Sequence, residues 1–249
     1  MLIKFIFSLI FICFGAYVGA IISFLKEEDR IPDFKDLFAK MSRCPHCQMK
    51  FKKTENIPII SFIIQKSLCP YCSKKLSLEQ LLLEVLSANL FGISYFIYGF
   101  SLKYIFAILI ITSALAISYV DIKYMAVPLY LQVYLGFCAI LFILFNPIDP
   151  LFSILCAILY YVIINLCVVM LKKFRNEEII GDADKILFLI CGLMLRLENL
   201  SNFLIISGLN GIATFYLLKK FNKENKESNT DKFPFAPAIV VSLLICLAV

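Results

Sequence analysis

The sequence predicts an all-α polytopic membrane protein, with about eight transmembrane helices and a small cytoplasmic cysteine module between the first two. Three observations predict this class. Of the 249 residues, 61% are hydrophobic and 17% are charged, whereas a soluble domain has roughly 45–50% apolar and about 25% charged residues. The apolar residues are concentrated in runs close to the roughly 20 residues that a helix needs to cross a bilayer. One long polar segment, residues 26–77, interrupts this pattern near the start.

Eight apolar segments mark the predicted helices. In chain order they are residues 5–25, 78–99, 102–120, 128–146, 150–171, 185–198, 200–218 and 233–249. The first has no small-x-small cleavage site before Lys26, so we expect an uncleaved helix rather than a signal peptide. The second begins at Ser77-Leu-Glu-Gln80, which has the spacing of a capping box. The sixth is short and close to the seventh, so this pair could form a broken or re-entrant element.

The distribution of basic residues predicts the orientation of these helices. Segments 26–77, 121–127, 172–185 and 219–232 together contain 21 of the 24 Lys and Arg residues. Because basic residues concentrate on the cytoplasmic side of a membrane protein, we expect these four segments inside and both termini outside. Membrane topology then explains the net charge of +6, and no nucleic-acid partner is predicted.

The same pattern predicts three parts of the chain. They are a first transmembrane helix at 1–25, a cytoplasmic cysteine module at 26–77 and a transmembrane domain at 78–249. A second polar stretch, residues 219–232, has the composition of a flexible linker.

Four of the ten cysteines form two C-x-x-C pairs with 21 residues between them: Cys44 and Cys47, then Cys69 and Cys72. Two such pairs can bring four thiolates tetrahedrally around Zn²⁺, so this module is predicted to be zinc-ribbon-like. Four cysteines leave no open coordination position, so the zinc would be structural. Disulfides and unrelated thiols are the alternatives, and the reducing cytoplasm disfavours disulfides. We expect His46, inside the first pair, to be an exposed side chain.

Acidic residues lie beside or within the apolar segments, where carboxylates are costly and often functional. Asp121 follows the third segment, Asp182 and Asp184 precede the sixth, and Glu84 lies about two turns inside the second. Two carboxylates from different helices can share one proton, and the ionised one can activate a water against a peptide carbonyl. From the pattern alone, ion transport and helix packing remain equally open. Glu84 is expected to form hydrogen bonds within the bundle.

Several motifs resemble the type IV prepilin peptidase family. Residues Gly15–Phe24, with Gly15 and Gly19 four apart, are similar to the family's opening motif, and Arg30-Ile-Pro32 follows. Asn56-Ile-Pro58 lies between the cysteine pairs, as in the family's cysteine module, and Glu84 falls where the family has a Glu. The chain departs from the family pattern at Ala20 and Ser23 and lacks the Trp that commonly precedes the Asn-Ile-Pro motif.

The aspartates also fall in motifs that resemble this family. Asp121 with Pro128 seven residues later is similar to its Asp-x₆-Pro motif, although Leu129 replaces the usual acidic residue. Gly181-Asp-Ala-Asp184 is similar to its Gly-x-Gly-Asp motif with Ala for the second Gly. The family has a Gly eight residues after the catalytic Asp, and Gly192 is eight residues after Asp184.

The resemblance implies a transmembrane aspartyl protease domain over 78–249, with Asp121 and Asp184 as the catalytic pair and Asp182 as the alternative to Asp184. It implies cleavage of the leader peptide of type IV prepilins or pseudopilins at the cytoplasmic face of the bacterial inner membrane, in pilus assembly or type II secretion. The cysteine module fits the bifunctional form, which also methylates the new N-terminus with S-adenosylmethionine. The implied partners are prepilin or pseudopilin substrates and membrane lipid.

Three other classes of protein share part of this pattern. A polytopic ion-coupled transporter would use the aspartates as proton relays and is expected to show internal repeats, of which the sequence shows none that is convincing. A membrane-anchored zinc scaffold would need the cysteines but not the aspartates. Another intramembrane protease of the Gly-x-Gly-Asp kind would share the aspartates but has no need of the cysteines.

Overall fold

The computed structural model describes residues 2–25, 43–44, 46–146, 149–175, 180–221 and 233–248. Two parts of the sequence predictions lie outside the described residues. They are Arg30 and Pro32, which follow the motif similar to the family's opening, and residues 222–232 of the predicted linker.

The described chain is almost entirely helical, and its long helices match the eight predicted apolar segments. The helices are α1 (Leu2–Ile22), the short α2 (Ile60–Ile64), α3 (Leu78–Tyr98), α4 (Leu102–Tyr124), α5 (Leu129–Phe145), α6 (Pro150–Arg175), α7 (Asp182–Met194), α8 (Leu200–Phe221) and α9 (Ala236–Ala248). Among the described residues, four stretches are helical, long and apolar enough to cross a membrane: 78–98, 102–124, 150–170 and 197–217. Three shorter apolar helices, within α1, α5 and α9, accompany them. The predicted class, an all-α membrane protein, is confirmed.

Helix α4 extends one turn beyond its predicted end. The apolar run stops at Val120, but the helix continues to Tyr124 and places Asp121 inside its last turn. It ends at Met125, whose φ of 54° is left-handed and whose N–H donates to the Asp121 carbonyl at 2.8 Å. Hydropathy marks only the apolar run, whereas helical hydrogen bonding continues through polar residues until the backbone turns.

The prediction of a capping box at the start of α3 was wrong, because the motif does not form. Ser77 is the N-cap residue, but its side chain makes no capping hydrogen bond. Gln80 instead donates from Nε2 to Glu84 Oε1 at 2.9 Å, one turn further along the same helix. A capping box needs the Gln80 side-chain oxygen to accept a bond from the Ser77 backbone N–H, whereas the charge-assisted bond to the Glu84 carboxylate turns the Gln80 amide toward the next turn of the helix.

The chain divides into two compact units, residues 1–116 and 117–249, with the division inside α4. In the first unit, α1 packs closely along α3. A Cβ atom at Gly15 would lie 2.7 Å from the Ser87 carbonyl oxygen, and one at Gly19 would overlap Ser87 Oγ and the Leu83 carbonyl. The Gly15-x-x-x-Gly19 spacing therefore allows the two backbones to touch, as small residues do in membrane helix pairs.

In the second unit, α7 contacts α5, α6 and α9. Leu187, Phe188 and Cys191 of α7 are almost completely buried. A Cβ atom at Gly192 would lie 2.7 Å from the Ala157 Cα atom of α6, so only glycine permits this close crossing. At 1.5 Å per residue, the 13 residues of α7 extend about 20 Å, less than the roughly 30 Å of a hydrocarbon core. A 3₁₀ turn at Leu197–Asn199 then leads into α8.

Candidate functional site

Asp121 is a buried carboxylate at the end of α4, with 6% of its surface exposed. Its Oδ2 atom accepts a hydrogen bond of 3.0 Å from the backbone N–H of Ala236. Ala236 is the first residue of α9. The first N–H groups of a helix have no partner within it and carry partial positive charge. The start of α9 therefore supplies a donor to a carboxylate that burial would otherwise disfavour.

Asp184 is the half-buried third residue of α7, ahead of the apolar part of that helix. Gly181 is the N-cap, and a Cβ atom on it would lie 3.7 Å from Asp184 Oδ2, so the side chain folds back over the helix start. Burial, and then the negative charge of Asp121, raise the pKa of Asp184 to about 7, against a hydrogen bond from the Gly181 backbone. Asp121 and Asp184 are thus close enough to interact electrostatically.

Asp182, the alternative in the same motif, is in a different environment. Its side chain is 93% exposed, and its Oδ1 atom lies 2.6 Å from Lys185 Nζ. The hydrogen bond and the charge of Lys185 lower the pKa of Asp182. Because helical side chains two residues apart face different directions, α7 presents one of the two aspartates to Asp121 and the other to solvent.

Helix α9 and the residue before it contribute to this site. The sequence analysis did not predict this contribution. Phe235 precedes the residue that bonds Asp121, and its ring lies 6.4 Å from that of Phe188, one turn after Asp184 in α7. A Cβ atom at Gly211 would lie 2.8 Å from Phe235 Cε2, so α8 encloses the ring from another side. Pro234 and Pro237 lie at the start of this segment, but prolines there indicate a helix start and not which distant carboxylate its N–H groups contact.

The loop between the two halves of the Asp-x₆-Pro motif is short and braced. Pro128 is the N-cap of α5, with φ of −58°. One turn into α5, Gln132 donates from Nε2 to the Val127 carbonyl at 2.9 Å. The side chain of Gln132 is 5% exposed, so this bond is largely shielded from water. The motif spacing therefore corresponds to a fixed turn directly after the carboxylate.

The four cysteines predicted as metal ligands come together. All four sulfur atoms lie within 4.8 Å of one another. The Cys44–Cys72 and Cys47–Cys69 sulfur pairs are each 3.9 Å apart. All ten cysteines are free thiols in this structure, and these four sulfurs form one cluster rather than two S–S bonds. The cluster is a site that could hold a metal ion.

The two cysteine pairs have the same local structure. In each, the residue after the second cysteine has a left-handed backbone, with φ of 59° at Gln48 and 55° at Ser73. Its N–H donates to the carbonyl of the first cysteine at 2.9 Å, from Gln48 to Cys44 and from Ser73 to Cys69. Short-range hydrogen bonding therefore turns the chain around each pair and aims two sulfurs inward.

Backbone donors also point at the sulfurs. The N–H groups of His46 and Tyr71 each lie 3.4 Å from the sulfur of the first cysteine in their pair. Burial alone would raise the pKa of Cys69, but hydrogen bonds from the backbone of Tyr71 and Cys72, together with its cysteine neighbours, lower it to about 7. Despite a backbone hydrogen bond at Met49, burial and the other three cysteines raise the pKa of Cys47. The crowded sulfurs therefore do not ionise alike, and the thiolate form, which ligates metal, is favoured at Cys69. His46 is exposed, as expected.

Glu84 joins the cysteine module to α3. Its Oε2 atom accepts a hydrogen bond of 2.7 Å from the backbone N–H of Ile59, and its Oε1 atom accepts the bond from Gln80. Glu84 is 3% exposed. The expected role, hydrogen bonding within the bundle, is confirmed, but its second partner belongs to the polar segment rather than to a helix.

Comparison with known proteins identifies the family. A family model described as Bacterial Peptidase A24 N-terminal domain matches residues 10–98. A second, described as Type IV leader peptidase family, matches residues 108–216. The chain belongs to the type IV leader peptidase family. The first match includes the cysteine cluster and Glu84, and the second includes all three candidate aspartates, but both end before Ala236.

Three relatives of this leader peptidase family member carry the name prepilin leader peptidase/N-methyltransferase. The one from Dichelobacter nodosus is 32% identical over 160 residues, which are 63% of this chain and 55% of the relative. The one from Neisseria gonorrhoeae is 25% identical over 88% of this chain and 77% of the relative. The one from Bacillus subtilis is 27% identical over 96% of this chain and 92% of the relative. The chain thus spans about half the length of the first and most of the others. No solved structure matches this chain.

Proposed function

We propose that the protein cleaves the leader peptide of type IV prepilins or pseudopilins at the cytoplasmic face of the bacterial inner membrane. The observation that carries this proposal is that Ala236 holds Asp121 while the adjacent Phe235 packs against Phe188, one turn after Asp184, in a member of the type IV leader peptidase family. The relatives' names supply the substrate class. None of these names supports the ion-coupled transporter alternative.

The aspartate pair would act as a base and an acid that share one proton. The hydrogen bond from Ala236 stabilises the ionised form of Asp121. Burial and the charge of Asp121 favour the protonated form of Asp184. Like charges in one site cannot both ionise cheaply, so this division of roles matches other aspartyl proteases.

The reaction then proceeds in two steps. Asp121 removes a proton from water, the water oxygen bonds to the scissile carbonyl carbon, and Asp184 donates its proton to the carbonyl oxygen. The tetrahedral intermediate collapses when the carbon–nitrogen bond breaks. The proton held by Asp121 passes to the leaving amine, and the proton on the former carbonyl oxygen returns to Asp184.

The position of the pair at helix ends suits such a substrate. Asp121 lies in the last turn of α4 and Asp184 in the first turn of α7. A prepilin has a basic leader followed by an apolar helix, so its scissile bond is expected at the membrane surface while the helix lies in lipid. Carboxylates at helix ends can reach this bond and still receive water from the aqueous side.

The cysteine cluster is proposed to hold one structural zinc ion. Zinc–sulfur bonds of about 2.3 Å in a tetrahedron separate neighbouring sulfurs by about 3.8 Å, close to the two distances of 3.9 Å. Cys44, Cys47, Cys69 and Cys72 would complete its coordination, and the zinc would stabilise the fold of the module without touching the substrate.

We also propose methylation of the new N-terminus, because the relatives' names include N-methyltransferase. S-adenosylmethionine would be the methyl donor. This activity is separable from cleavage, because a methylated product differs in mass from one that is only cleaved.

The test is an incubation of the purified protein with a prepilin and S-adenosylmethionine, followed by intact mass measurement of the product. Wild type is compared with Asp121→Asn, Asp184→Asn and the matched control Asp182→Asn. We expect wild type and the control to remove the leader and the other two to leave it intact. Cleavage by Asp184→Asn, or its loss in Asp182→Asn, would reverse the assignment within the motif. If the cleaved product carries no added methyl mass, the methylation proposal fails and the cleavage proposal stands.

A further inference from the structure

The short helix α2 of the cysteine module presents an apolar surface. Ile60, Ile63 and Ile64 are 51%, 67% and 72% exposed. They are spaced at i, i+3 and i+4 and therefore lie on one face of the helix. Phe62, on the opposite face, is half-buried in the module. Exposing three isoleucines on one face to water is unfavourable, so this surface is expected to contact an apolar partner such as lipid or another protein.

A hydrogen bond fixes where the start of α2 lies along the length of α3. Ile59 immediately precedes α2, and its N–H donates to Glu84 at 2.7 Å. Glu84 is the seventh residue of α3, a helix long and apolar enough to cross a membrane. At 1.5 Å per residue, Glu84 lies about 9 Å along the helix from its first residue. The start of α2 is therefore held beside the second turn of α3 rather than beyond its end.

The same turns of α3 expose apolar side chains of their own. Leu78, Leu82 and Leu86 are 64%, 68% and 48% exposed. On a spanning helix such side chains contact lipid. The isoleucine face of α2 thus lies at the level where the lipid-facing surface of α3 begins, and a bilayer that receives α3 also reaches α2.

Basic residues flank both elements. Lys66 follows α2, Lys74 and Lys75 precede α3, and all three are exposed. Lysines beside a short apolar face are typical of helices that lie in the headgroup region, where they attract anionic lipids.

We propose that α2 is an interfacial helix that anchors the cysteine module to the lipid surface. Ile60, Ile63 and Ile64 insert into the outer part of the hydrocarbon, and the flanking lysines contact anionic headgroups. The hydrogen bond between Ile59 and Glu84 sets the depth. This anchor does not depend on peptidase activity, so it stands or fails separately from the proposed function.

The chain contains no tryptophan, so a single introduced tryptophan reports without background. Ile64→Trp is reconstituted into vesicles of neutral and anionic lipid with bromine atoms high on the acyl chains. Phe62→Trp is the matched control, because it lies on the opposite face of the same helix. We expect brominated lipid to quench Ile64→Trp at least threefold more than Phe62→Trp. Circular dichroism first verifies that both variants keep the helical content of wild type.

Equal quenching of the two variants would overturn the proposal. So would an Ile64→Trp emission that changes only when a prepilin is added, because the face would then bind a protein rather than lipid. A second variant tests the lysines: in Ile64→Trp, replacing Lys66, Lys74 and Lys75 with serine should remove most of the extra quenching that anionic lipid adds to neutral lipid. Unchanged dependence on anionic lipid would refute the contribution of the lysines.

Discussion

The backbone N–H of Ala236 donates to Asp121 Oδ2 at 3.0 Å, across 115 positions in the sequence. The bond joins the start of one helix to the end of another. It is also buried, where a hydrogen bond to a carboxylate is stronger than in water. The last helix of the chain therefore takes part in holding the first aspartate of the candidate site.

Replacing Ala236 with proline should slow cleavage. Proline removes the donated N–H but is tolerated in the first turn of a helix. A hydrogen bond to a charged group contributes about 1.5–3 kcal/mol, so we expect a loss of roughly ten- to a hundredfold in kcat/KM. Ala236→Ser keeps the N–H and should remain close to wild type. Equal rates for the two variants would show that this bond does not support catalysis.

The stability of the protein should fall with rising pH in a way that depends on Asp184. Its folded pKa is raised from the ordinary 3.8 to about 7. Between these values the folded state binds more protons than the unfolded state, so the stabilising contribution is complete below about pH 4 and is lost as the pH rises through about 7. Thermal unfolding in detergent should show a steeper decline with pH for wild type than for Asp184→Asn. Parallel curves would contradict the burial of this carboxylate.

Gly192→Ala should loosen the packing of α7 on α6. The added methyl group would meet the Ala157 Cα atom at 2.7 Å, and overpacking of this kind costs about 1–3 kcal/mol. A lower unfolding temperature and reduced cleavage are both expected, because α7 also positions Asp184. Gly208→Ala is the control, since a Cβ atom there meets nothing within 4 Å. If the two variants unfold at the same temperature, the close crossing is not important for stability.

Cys44→Ser should remove bound zinc. Elemental analysis of purified protein is expected to give about one zinc per chain for wild type and for Cys167→Ser, whose cysteine is exposed and far from the cluster in sequence. The cysteine module of Cys44→Ser should then be cut faster by added protease. Wild-type zinc content in Cys44→Ser would refute the proposed coordination.

Glu84→Ala should release the cysteine module from α3. The change leaves the Ile59 N–H and the Gln80 amide without their acceptor, and an unsatisfied buried donor costs about 1–3 kcal/mol. Hydrogen exchange of the Ile59 amide should accelerate, whereas Glu79→Ala, at an exposed position in the same helix, should leave it unchanged. Unaltered exchange in Glu84→Ala would mean that other contacts hold the module.

Much of the local structure was predictable from the sequence. Apolar runs predicted each long helix, and the two C-x-x-C pairs predicted the sulfur cluster. Both signals are local: a helix forms where backbone hydrogen bonds can close within an apolar run, and each cysteine pair is shaped by bonds between near neighbours such as Cys44 and Gln48. The orientation in the membrane, the domain boundaries and the catalytic roles stay predictions.

The tertiary structure decided which distant groups meet. The motif spacing favoured Asp184 through Gly192, and the structure gives that spacing a physical meaning, because Gly192 lets α7 approach α6 closely. The bonds from Ala236 to Asp121 and from Ile59 to Glu84 had no signal in sequence spacing. Their partners are brought together only when the helices pack, and the donors are backbone N–H groups, which every residue except proline carries.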